Sequence, residues 1–101
     1  MNDLYEYVLE NLEISVKKIG KGSVIANVKI TIAGLITIKG YTYRKSHYLN
    51  EHLGKNVYID PPKIPLSKGG KAIIAVFFEY EDLWYAVMKK IDEKVSEVIN
   101  N

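Results

Sequence analysis

Between Ser23 and Ile32 the chain alternates apolar and polar side chains almost without interruption. Val24, Ala26, Val28, Ile30 and Ile32 fall on one side, while Ile25, Asn27, Lys29 and Thr31 fall on the other. A period of two is the signature of an extended strand with one face on a core. Short glycine turns bracket it, Gly20-Lys21-Gly22 before and Ala33-Gly34 after. Ile14 to Ile19 alternate more weakly on the near side. On the far side, Leu35 to Arg44 give a third strand, with Ile36 and Ile38 on one face and Leu35, Thr37, Lys39, Tyr41 and Tyr43 on the other. Three strands joined by turns this tight can pair only as an antiparallel meander.

The remaining segments complete an α+β pattern. Tyr5, Val8, Leu9 and Leu12 are spaced as one face of a short N-terminal helix, with Asn2 or Asp3 as its cap. Lys45 to Lys55 read as a polar loop or one short helical stretch. Asn56 to Asp60 read as a short strand halted by Pro61-Pro62. After a loop over residues 63–71, Ala72 to Phe78 form an uninterrupted apolar run suited to a buried strand. A helix then opens at Glu81 or Asp82 and runs to about Ile99. Its apolar stripe is Trp84, Val87, Met88, Ile91, Val95 and Val98. The expectation is a single domain over residues 1–101: a curved antiparallel sheet of about five strands, the C-terminal amphipathic helix packed on one face, and a short N-terminal helix. A meander of this kind leaves edge strands and one face open, which favours a homodimer.

Charge is segregated along the chain. From Ile14 to Val76 there are eleven Lys and Arg against two acids, Glu51 and Asp60, a net +9. The first thirteen residues hold four acids and no base, and residues 77–101 hold six acids against three lysines. The overall +2 conceals a basic middle between acidic ends, a pattern suited to phosphate contact or simply to a solvated surface. No run of 18 apolar residues offers a membrane span, and the acidic start lacks a signal pattern, so the cytoplasm is the expected location. The absence of cysteine excludes disulfides and thiolate metal sites. Lysine outnumbers arginine thirteen to one and glutamine is absent, a bias that suits an AT-rich prokaryotic genome and equally a thermophile.

No catalytic constellation emerges, and no cofactor, metal or small-molecule substrate is expected. His47 and His52, with Glu51 between, are too few for a metal centre. Ser67-Lys68-Gly69-Gly70-Lys71 lacks phosphate-loop spacing and leads into an apolar run rather than a helix. Lys29, Lys39, Tyr41 and Tyr43 carry more weight. By alternation they share one face of two neighbouring strands, where rings stack on bases and ammonium groups meet phosphates. Coverage of that face by the helix or by a second subunit is the competing reading.

The order of features resembles the stage V sporulation protein G (SpoVG) family over residues 13–99. The resemblance rests on Ser23-Val-Ile-Ala-Asn-Val-Lys-Ile-Thr-Ile, Gly34-Leu-Ile-Thr-Ile-Lys-Gly-Tyr-Thr-Tyr, Val57-Tyr-Ile-Asp-Pro-Pro-Lys, a basic loop and the C-terminal helix. It implies a small α+β regulator that dimerises through its sheet and binds nucleic acid through the basic loop and the helix start. Pro62 stands where that family usually has Ser, and Glu81-Asp82 make the helix start acidic. That second departure moves the expected contacts to sheet and loops: Lys29, Lys39, Arg44, Lys63, Lys68 and Lys71 on phosphates, Tyr41 and Tyr43 on bases. DNA or RNA, single or double strand, stays open. Transcriptional coactivators of the positive-cofactor-four type, which bind single strands, show a similar strand-then-helix order. The alternative function is a structural or protein-interaction module that docks a partner through its sheet edge or its tyrosine-rich face.

Overall fold

The computed structural model describes residues 3–66 and 69–100. Helix α1 (Asp3–Glu10) leads into β1 (Leu12–Lys21), β2 (Val24–Ile32), β3 (Ile36–Asn50) and β4 (Lys55–Asp60). These four strands form one antiparallel sheet in chain order. A two-stranded ribbon of β5 (Lys63–Pro65) and β6 (Ala72–Ile74) follows, and α2 (Glu81–Ile99) ends the chain. The molecule is thus α+β, with an open, curved sheet and two helices.

One face of the sheet is the core. Ala26, Val28 and Ile30 of β2, Tyr41 and Tyr43 of β3, and Ile59 of β4 are buried against Leu83, Val87, Met88, Ile91 and Val95 of α2. Each fully buried large side chain contributes about 1.5–3 kcal/mol of transfer free energy, so the helix stripe is a principal source of stability. Trp84 is only partly buried; its ring lies between those of Tyr41 and Phe78, at centroid distances of 6.1 and 5.8 Å. Leu83, absent from the expected stripe, is buried. Acidic Glu81 and Asp82 occupy the first turn of α2, where they meet the positive end of its dipole. Deeper in the helix, Asp92 is buried. Its carboxylate accepts from the Tyr43 hydroxyl (2.5 Å) and from Lys55 Nζ (3.0 Å to each oxygen), tying β3 and β4 to α2.

Three expectations need correction. The first concerns the tyrosines. Strict alternation would put Tyr41 and Tyr43 beside Lys39 on the outer face. Instead Val28 pairs with Tyr41 while Lys29 pairs with Lys39, so Gly40 is an extra residue on β3. Its φ of 108° lies in the region that glycine alone adopts easily. This β-bulge shifts the phase by one. Tyr41 and Tyr43 turn under α2, at 1% and 4% exposure, and offer no ring face to a base. Pro62 leans on the bulge, so a Cβ on Gly40 would lie 3.3 Å from its Cβ.

The second correction concerns residues 45–55. The polar stretch is not a loop throughout: β3 continues to Asn50, and the turn is confined to residues 51–54. Asn50 Oδ1 accepts from the backbone N–H groups of His52 and Leu53, the Asx geometry that closes such turns. The third concerns Ala72–Phe78. Only Ala72–Ile74 are strand, they pair with Lys63–Pro65 rather than with the main sheet, and Ile73, Ile74 and Phe77 are exposed. Pro61-Pro62 carries the chain away from the sheet edge. The Ala75 N–H then donates to the Pro62 carbonyl (2.8 Å), holding the run in the ribbon.

Two outcomes follow from this packing. Ile91→Ala, at a fully buried position, lowers stability by about 2–5 kcal/mol in denaturant titrations; an unmoved midpoint contradicts the helix-on-sheet core. Burial pushes the Tyr41 hydroxyl pKa up to about 12. Burial, reinforced by the hydrogen bond to Asp92, pushes that of Tyr43 up as well. Both groups keep their protons in the folded state at pH values where the unfolded chain loses them. Their contribution is therefore complete below about pH 10; that of Tyr41 is lost as pH rises through about 12, and that of Tyr43 at higher pH. Denaturant unfolding at pH 8 and pH 11 shows stability falling between the two. Tyr41→Phe makes that fall shallower. At pH 8 the same change is neutral or stabilising, because the buried hydroxyl of Tyr41 has no hydrogen-bond partner among the described residues.

Candidate nucleic-acid interface

The face of the sheet opposite α2 is open. Successive strands place Ser15 and Lys17 (β1), Asn27 and Lys29 (β2), and Thr37 and Lys39 (β3) on it, all exposed. The ladder then fixes their neighbours. Ser15 pairs with Lys29 and Lys17 with Asn27 across β1–β2. Lys29 pairs with Lys39, and Thr31 with Thr37, across β2–β3. The two threonine hydroxyls share a hydrogen bond of 2.9 Å. Around the Gly40 bulge the twisted surface dips into a shallow, open depression of about 460 Å³, bordered by Ser15, Lys17, Asn27, Lys29 and Lys39. No carboxylate borders it, and the ion pairs among the described residues include none of these three lysines.

The other expected site residues are placed differently. Arg44 and Lys63 converge on one carboxylate: Asp60 lies 3.5 Å from Arg44 Nη1 and 2.9 Å from Lys63 Nζ. That hydrogen bond, followed by the charge of Asp60, raises the Lys63 pKa. Two cations sharing one acid keep a net positive charge near the end of β4, although each is partly neutralised. Arg44 also donates to Ser23 Oγ at 3.4 Å. Lys71 is exposed beside the ribbon, apart from the lysine depression. Lys68 lies outside the described residues. The structure therefore brings Lys29 and Lys39 together, groups Arg44 with Lys63, and separates Tyr41 and Tyr43 from both sets by the thickness of the sheet.

Lys17, Ser15 and Asn27 were not among the expected contacts. Their signal was present, since β1 and β2 alternate, but the register that sets Lys17 and Ser15 beside Lys29 follows only from the pairing of the strands. On the same open side, Tyr58 pairs with Arg44 at the β4 edge and is half exposed. The His52 ring stacks on that of Tyr85 at 3.5 Å, and no group of three or more His, Asp or Glu suited to a metal ion occurs among the described residues.

A second surface is apolar. Ile64, Leu66, Ile73, Ile74 and Phe77 are exposed along the ribbon and the segment after it, Phe77 at 66%. Ile74 and Phe77 also wall a cavity of about 240 Å³ beside Tyr41, Ile59, Trp84 and Met88.

No helix among the described residues is long and apolar enough to cross a membrane. Comparisons with protein-family models, with curated proteins and with solved structures found no match to this chain.

Proposed function

We propose that this protein is a small nucleic-acid-binding regulator that holds the phosphate backbone on the open face of its sheet. The observation that carries this reading is the convergence of Lys17, Lys29 and Lys39 on that face with no carboxylate among them. Ammonium groups, a serine hydroxyl and an asparagine amide are the donors that phosphate oxygens accept from. Arg44 and Lys63 extend the positive surface towards the β4 edge. With Tyr41 and Tyr43 under the helix, the contact is electrostatic and positions the strand without stacking on its bases. The resemblance to the stage V sporulation protein G family supports the same reading. The protein acts by binding rather than catalysis, in the cytoplasm.

The apolar ribbon favours a second element of this proposal, a homodimer. Exposed Ile64, Ile73, Ile74 and Phe77 form a patch of the kind that protein contacts cover. The same patch is the observation that favours the alternative of a protein-interaction module.

Titration of a fluorescent duplex at several salt concentrations tests the binding proposal. Replacing Lys17, Lys29 and Lys39 together by Gln weakens binding to unrelated sequences alike and flattens the log–log salt slope by roughly 2–3. Wild-type protein that binds no oligonucleotide at low salt contradicts the reading and leaves the interaction module. Sedimentation in the same buffers reports the assembly; a single species near 11.5 kDa at high micromolar concentration removes the dimer.

A further inference from the structure

Lys29 and Lys39 are direct cross-strand partners. Residues so opposed have Cα atoms only about 4.5–5.5 Å apart, and like charges in that relation destabilise the sheet. No ion pair among the described residues offsets the repulsion, and Glu13, diagonal to Lys29 across β1 and β2, makes none with it. Of the acids on the open face, Glu13 is opposite Thr31, and Asp60 is taken by Arg44 and Lys63. Lys17 adds a third ammonium at the border of the same depression. Next to Lys39, Gly40 adds no side chain to the border of the depression. An arrangement with three cations, a hydroxyl, an amide and no paired counter-charge is unfavourable when empty and favourable around an oxyanion.

We infer that the Lys29–Lys39 pair, with Lys17, Ser15 and Asn27, is a discrete seat for one phosphate group, and that filling this seat stabilises the fold. The inference rests on the nucleic-acid reading for the natural source of the phosphate, which is one group of a strand's backbone. Ammonium groups of Lys29 and Lys39 take two phosphate oxygens and so convert their mutual repulsion into a bridge. Lys17, Ser15 and Asn27 supply the remaining donors from β1 and β2. Because the anion binds the folded sheet and not the unfolded chain, occupancy raises the melting temperature.

Thermal unfolding of the full chain tests this with inorganic phosphate as the probe, against chloride at equal ionic strength. Phosphate also stabilises proteins generally by exclusion from their surface, so the comparison is among wild type, Lys39→Gln and Lys18→Gln. Lys18 is an exposed lysine of the same sheet, paired with Ala26. In chloride, Lys39→Gln melts about 1–6 °C above wild type, because the opposed charges are gone. In phosphate, wild type and Lys18→Gln gain several degrees more than Lys39→Gln does. A Lys39→Gln protein that is no more stable than wild type in chloride, or that keeps the full phosphate increment, overturns the seat. Oligonucleotide titrations separate the two proposals. Wild type that binds duplex but shows no Lys39-dependent phosphate increment loses the seat and keeps the nucleic-acid reading. A Lys39-dependent increment without oligonucleotide binding keeps the seat and assigns it to free phosphate.

Discussion

The extra residue at Gly40 governs how this sheet presents its two faces. Upstream of it, Ile36 and Ile38 pair with Ile32 and Ile30 on the core side, and Lys39 points away. Downstream, Tyr41 and Tyr43 occupy the core side. Without the bulge a single strand could not supply both sets: Lys39 and Tyr41 would share a face, and either the helix would rest on a lysine or two large rings would lie in water. The helix packing, the Tyr43–Asp92–Lys55 tie and the lysine depression all depend on that change of phase. Glycine supplies the positive φ, and the approach of Pro62 limits what else can occupy the position.

The segregation of charge along the chain becomes a segregation in space. The acidic ends are largely the two helices, and the basic middle is largely the sheet. Since α2 covers one face, buried Asp92 lies across the sheet from Lys17, Lys29 and Lys39, while Glu93 and Glu97 flank the β1 edge. A polyanion therefore meets the molecule with attraction on the sheet side and repulsion on the helix side. Such polarity orients approach before any contact forms.

Much of the architecture was legible because it rests on short-range periodicity. The alternation of Val24 to Ile32, the glycine turns and the stripe from Val87 to Val95 each specify an element without reference to the others. Features that depend on pairing were less visible. A glycine inside a strand pattern signals a bulge, but whether Gly40 shifts the phase depends on its partners, Val28 and Lys29. The polar residues 45–50 conceal a strand because their stretch of β3 extends past the helix-covered core. The run from Ala72 to Phe78 read as core because hydrophobicity alone does not say what covers it. Of the site, Lys29 and Lys39 were legible as neighbours, whereas the aromatic partners assigned to them belong to the other face. Ser15, Lys17 and Asn27 join them only through register.

The central claim is that the face outside the Gly40 bulge, rather than the helix side or the ribbon, meets the nucleic acid. Backbone amide and lysine side-chain NMR shifts on adding a short duplex at low salt test it most directly. The account predicts that perturbations concentrate on Ser15, Lys17, Asn27, Lys29, Thr37 and Lys39, while Val87, Ile91 and Val95 under the sheet stay still. Perturbations centred on α2 or on residues 63–77, with the open face unchanged, would contradict it.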